Sequence, residues 1–214
     1  MSEMIKLDIF SDTICPWCYI GKKRLDRAIK KFNTEEFKIT WRPFQLNPNM
    51  QADGMDRTEY LVSKFGSEDA AKTIYDNIFE EGEKEEIYFQ FDDIKITPNS
   101  FNSHRLLALA YQKKIQDRMI EDIFQSYFIR GEDIGDPTVL LNIAIKHNID
   151  EDEFKNYLMN KENIEPLANE EIQARKMGIN SVPTFIVNQQ IVINGAQSVD
   201  NFELIFTKLL SKVH

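Results

Sequence analysis

Two cysteines, the only two in the chain, flank a two-residue spacer: Cys15-Pro16-Trp17-Cys18. A pair of thiols at this spacing can pass between dithiol and disulfide, and the flanking sequence says how they are held. An alternating apolar run (Ile5, Leu7, Ile9) precedes them and an amphipathic run (Ile20, Leu25, Ala28, Ile29, Phe32) follows. That pattern predicts a strand running into a helix with the dithiol on the turn between them. The first amides of a helix lack intrahelical partners and carry the positive end of the helix dipole. A thiolate is favoured there, so Cys15 is expected to be the nucleophile at neutral pH. Pro16 suits the first helical position, where its missing N–H is not needed. Cys18, one turn on, is expected to face inward and to attack a mixed disulfide formed on Cys15.

Two other uses of paired cysteines fit less well. A disulfide across so short a loop would constrain little of the unfolded chain. Zinc needs about four ligands, and His104, His147 and His214 are scattered with no second cysteine pair. No metal is expected.

The remaining chain reads as a frame for this turn. Strand Lys6–Phe10, a helix over 16–32 and a second strand over 37–44 make β-α-β, for which a parallel pair with a helical crossover is expected. A long helical section follows. Helices are expected over 57–65, 68–79, 99–111 (capped by Asn99 or Ser100), 119–130, 137–145, 152–159 and 165–177, the last ended by Gly178. The charge run at residues 80–86 reads as solvated loop or helix end. Ile87, Phe89 and Phe91 alternate as a short extended piece would. Ser181–Val187 and Gln190–Ile193 form a hairpin around Asn188-Gln189, and Val199–Leu210 closes the chain as an amphipathic helix.

The 214 residues carry a net charge of −9 with no basic patch, which argues against nucleic acid and anionic membrane as partners. No apolar run reaches membrane-spanning length. The N-terminus has no basic or apolar leader pattern, so a cytoplasmic protein is expected. A lasting disulfide is unusual in that compartment, which again favours catalysis.

Four phrases narrow the reading: residues 10–21 (FSDTICPWCYIG), 41–48 (WRPFQLNP), 102–106 (NSHRL) and 178–185 (GINSVPTF). In this order, with the β-α-β and β-β-α halves, they resemble the thioredoxin superfamily, and specifically its DsbA-like, FrnE-like oxidoreductases. The resemblance runs nearly end to end. It implies an α/β thioredoxin fold with a mixed central sheet, built from residues 1–48 and 164–214, with 49–163 inserted as a helical domain. It also implies that the Val182–Pro183 bond is cis and lies beside the dithiol, so that Val182 can hold an extended substrate segment by strand-like hydrogen bonds. The related 2-hydroxychromene-2-carboxylate isomerases and kappa-class glutathione transferases are similar in the residue 102–106 helix and the Val-Pro loop but carry serine at the Cys15 position. DsbA itself has histidine at the position of Trp17.

The expected activity is thiol–disulfide exchange on protein or small-molecule thiols and disulfides. No bound cofactor is expected beyond the redox-active pair, with glutathione a candidate co-substrate. Two alternatives stay open: a glutathione-dependent transferase or isomerase, and a non-enzymatic peptide-binding holdase. His104 reads either as a helix-start histidine satisfied by local backbone or as a residue supporting the site. Asp12 and Arg42 receive no role.

Overall fold

The computed structural model describes residues 4–211; the first three residues and the last three, His214 among them, lie outside it. A four-stranded sheet is built from β1 (Ile5–Ser11), β2 (Phe37–Pro43), β5 (Thr184–Val187) and β6 (Ile191–Asn194) in the order β2-β1-β5-β6. β1 pairs parallel with β2 and antiparallel with β5, which pairs antiparallel with β6. The parallel pair is joined by α1 (Pro16–Ile29), and the β5–β6 hairpin turns on Asn188 and Gln189, both at positive φ.

Alternation along β1 separates its faces. Ile5, Leu7 and Ile9 enter the main core with Leu25 and Ala28 of α1 and with Phe202 and Phe206 of α9 (Val199–Leu210). Phe10 joins a second cluster with Phe44, Ala174 and Ile179 beside α8 (Ile164–Lys176). Helices therefore cover both faces, as a sheet apolar on both sides requires.

Between the halves lie α2 (Arg57–Phe65), α3 (Glu68–Glu83), α4 (Phe101–Gln112), α5 (Gln116–Phe128), α6 (Pro137–Lys146) and α7 (Glu151–Met159). Asp56, Ser67, Asp136 and Asp150 cap α2, α3, α6 and α7 through their side chains. Ser100 occupies the cap position of α4 without a side-chain bond; the neighbouring Asn99 Oδ1 instead accepts from Phe101 N.

Two expectations change. Ile87, Phe89 and Phe91 form no strand: Phe89 and Phe91 stack at 4.6 Å, and Phe91 opens a short 3₁₀ turn. A two-residue ladder instead joins β3 (Met55–Asp56) to β4 (Ile96–Thr97). The charge run is not merely solvated. α3 continues to Glu83, and Arg24 of α1 is held at 2.5 Å by Glu81 and at 2.9 Å by Glu85.

Candidate active site

Cys15 is the N-cap of α1 (φ −97°, ψ 112°) and Pro16 opens the helix. The turn is closed by Cys15 N donating to Asp12 O at 3.1 Å, and Cys18 N donates to Cys15 O at 3.0 Å. No acidic side chain occupies the first turn to oppose a thiolate there. Both cysteines are free thiols. Cys15 is 4% exposed and Cys18 0%, so Cys15 is more enclosed than its position on a turn suggests, while Cys18 faces inward as expected. Burial, and then the neighbouring Cys15, pushes the Cys18 thiol well up; the Ser11 hydroxyl and the Asp12 main-chain N–H oppose that shift only in part. Cys18 is therefore a thiol at rest. Trp17 is half-buried and packs on the main core.

The Val182–Pro183 loop lies directly opposite. Its peptide bond is cis, and the Cys15 thiol donates to Val182 O at 3.8 Å. Among the described residues, Val182 pairs with no other main-chain group, whereas Pro183 O accepts from Gly195 N at 2.8 Å. Gly21 lets the loop sit this close: a Cβ there would come within 3.1 Å of Pro183 Cγ and 3.3 Å of Phe185 Cζ. The 10–21 phrase ends on Gly21, yet the sequence alone gives that residue no separate role. A glycine in the second turn of an amphipathic helix, where it costs about 1 kcal/mol relative to alanine, was the available signal.

The 102–106 phrase proves to be a clasp. Ser103 Oγ meets Thr13 Oγ1 at 2.7 Å, and His104 Nε2 lies 3.5 Å from Asp12 Oδ1. Arg105 donates to Tyr157, Leu158 and Asn160 carbonyls and to Asn163 Oδ1, anchoring α4 to the end of α7. Local backbone does not satisfy the His104 ring: its Nε2 is buried without a hydrogen-bond partner. Asp12 is wholly buried, accepting from Leu46 N at 2.6 Å and from Ile14 N at 3.4 Å. Arg42 is taken up by Asp8 and Glu170, each at 2.7 Å, and so serves to join β2 to β1 and α8.

The helical block supports α1 as well. Tyr19 stacks on Phe124 at 5.0 Å and donates to Glu121 at 2.9 Å. Lys22, only 3% exposed, is held by Asp26 at 2.7 Å and lies within 3.5 Å of Asp117 and Glu121. Nothing in the sequence pattern around Lys22 marks it as buried, because Asp117 and Glu121, which join Asp26 around it, come from α5 far along the chain. Among the described residues, no three His, Cys, Asp or Glu side chains converge as a metal site would require.

Among curated proteins the chain is similar to the uncharacterised protein YwbO of Bacillus subtilis (strain 168), 24% identical over 206 residues, covering 93% of this chain and 94% of YwbO. Among solved structures it resembles a probable DsbA oxidoreductase from Streptomyces coelicolor, with a TM-score of 0.88 and 24% identity over 97% of this chain and 91% of that one. The cytosolic disulfide reductase DsbM from Pseudomonas aeruginosa, solved with GSH, is similar at a TM-score of 0.68 and 14% identity, over 96% of this chain and 99% of that one. The model of the DSBA-like thioredoxin domain matches residues 6–206. By that match the chain belongs to the DSBA-like thioredoxin domain family.

Proposed function

We propose that this protein is a thiol–disulfide oxidoreductase of the FrnE-like kind, in which Cys15 attacks and Cys18 resolves. The asymmetry of the two thiols carries this reading. Cys15 caps a helix and faces a main-chain carbonyl, while Cys18 lies one turn deeper, wholly buried and held as a thiol. A thiolate at the helix terminus takes one sulfur of a substrate disulfide and expels the other. Cys18 then attacks Cys15 Sγ, closes the Cys15–Cys18 disulfide and frees the substrate. Pro16 sets the first turn, and Trp17 shields it without supplying charge. The unpaired main chain at Val182 suits an extended substrate segment that adds as a short strand and aligns its sulfur with Cys15. We assign the discontinuous unit of residues 1–48 and 164–214 to this chemistry and residues 49–163 to its support.

Glutathione is the small thiol we propose as a co-substrate, supported by likeness of fold to DsbM solved with GSH. With both thiols present the cycle needs no bound cofactor, and we place it in the cytoplasm, where it would run toward reduction. Turnover tests the reading. The reduced protein should catalyse insulin reduction by dithiothreitol, and Cys15→Ser should lower the rate at least about a hundredfold, because the thiolate is the nucleophile. Equal rates for the two proteins would overturn it.

A further inference from the structure

The loop opposite the dithiol is fastened to α1 by a residue outside the Cys-Pro-Trp-Cys motif. Arg24 lies three positions beyond Gly21, and residues three apart on a helix share a face. That face meets the loop region at two places. At Gly21 a Cβ would come within 3.1 Å of Pro183 Cγ and 3.5 Å of Ala196 Cα. At Arg24, Nη1 donates to the Ala196 carbonyl at 2.7 Å. Ala196 follows Gly195, whose N–H donates to Pro183 O at 2.8 Å, and Gln197 N closes the turn on Gly195 O at 2.9 Å. A run of short hydrogen bonds therefore leads from Arg24 through the 195–197 turn to Pro183. Its neighbour Val182 is the residue whose carbonyl faces the Cys15 thiol.

The rest of the guanidinium is committed to the helical block. Nε donates to Glu85 at 2.9 Å and Nη2 to Glu81 at 2.5 Å, two carboxylates at the C-terminal end of α3. Three nitrogens of one planar group thus take three acceptors, two beside α3 and one on the turn after β6. A lysine ammonium, a single point on a flexible stem, offers no such fork. Arg27, the next basic residue on α1, pairs with the same Glu85 at 2.5 Å. Its side chain is half exposed, and among the described residues its guanidinium donates to Glu85 alone. Ion pairing with α3 and fastening of the loop are therefore separable.

We propose that Arg24 is a positioning residue for extended polypeptide substrates. By tying the 195–197 turn to α1 it holds the Val182 main chain at the spacing from Cys15 that a strand-like segment needs. It thereby sets a preference for polypeptide over small disulfides. The inference rests on the thiol–disulfide cycle proposed above. A segment that adds along Val182 binds through main-chain hydrogen bonds, which weaken steeply when donor and acceptor move out of line. Without Arg24 the Ala196 carbonyl loses its donor and the turn its tie to α1, so that edge is free to shift. A small disulfide lays no strand along the edge and needs only the Cys15 thiol. The loss therefore falls on one class of substrate.

Two substrates read the difference: insulin, reduced at the expense of dithiothreitol, and dithiobis(nitrobenzoate), which releases nitrothiobenzoate on reaction with the reduced protein. In Arg24→Gln, KM for insulin should rise about tenfold, the scale of one charge-assisted hydrogen bond, with kcat within about twofold. The dithiobis(nitrobenzoate) rate should stay within about twofold of the unsubstituted protein, since that reagent makes no use of the edge. Arg24→Lys keeps a charge for Glu81 and Glu85 and should still raise the insulin KM, so failure of one variant to fold leaves the test intact. Arg27→Gln weakens the same ion-pair cluster without a bond to the loop and should leave both substrates unchanged. An insulin KM that does not move, a loss by one factor on both substrates, or an equal rise in Arg27→Gln would overturn the proposal. If the unsubstituted protein does not turn over insulin, the oxidoreductase reading itself fails, and this inference with it.

Discussion

Cys15 and Cys18 are the same side chain, three residues apart on one helix, and the structure gives them opposite circumstances. Cys15 sits where α1 begins, beside amides that the helix cannot use, with its thiol on the Val182 carbonyl. Cys18 sits one turn in, where the amides are spent on the helix and the surroundings are core. One turn of helix therefore separates a thiol at the helix terminus from one that burial keeps protonated. The motif supplies two sulfurs; their division of labour comes from where the helix starts, and the strand–turn geometry around Asp12 decides that.

Alkylation presses hardest on this contrast. At pH 7 in the native reduced protein, iodoacetamide should modify Cys15 at least about tenfold faster than Cys18, which is wholly buried and held as a thiol. In denaturant the two rates should converge. Peptide mass spectrometry reads both sites at once, and comparable native rates would erase the distinction.

A smaller effect sharpens the same contrast through stability. Burial raises the Cys18 thiol, so the folded reduced protein keeps its proton while the unfolded chain loses it above about pH 8.5. The unfolded state then binds fewer protons, and stability must fall as pH rises through that window. The slope reaches at most about 1.4 kcal/mol per pH unit. Tyr19 and Tyr127, whose phenols are also pushed up by burial, act only above about pH 10, where an ordinary phenol ionises. Urea unfolding between pH 8.5 and 10 should therefore show a shallower decline for Cys18→Ala than for the unsubstituted protein. Parallel declines would mean that Cys18 titrates alike in both states.

The local parts of the site were legible in the sequence. Strand period, helix period, Pro16 and the paired cysteines are short-range signals, and they placed α1 and the dithiol correctly. The loop at Val182 was legible only through the family resemblance, since a strand-initial proline is ordinary by itself. What escaped is long-range pairing. Thr13 meets Ser103 across 90 positions, and Arg24 meets Glu85 across 61. Neither contact leaves a periodic trace. Asp12 and His104 each looked like a routine polar residue until the fold put them 3.5 Å apart. Lys22 was hidden similarly, its charge met by carboxylates on α1 and α5.

Trapping in cells tests the division of labour between the thiols most directly. Cys18→Ser and Cys15→Ser variants would be expressed, quenched with acid and alkylating agent, and run on non-reducing gels, with adducts identified by mass spectrometry. The account predicts dithiothreitol-sensitive adducts on Cys15 of the first variant, which has lost the thiol that would release them, and none on the second. Equal trapping by both variants, or by neither, would contradict it.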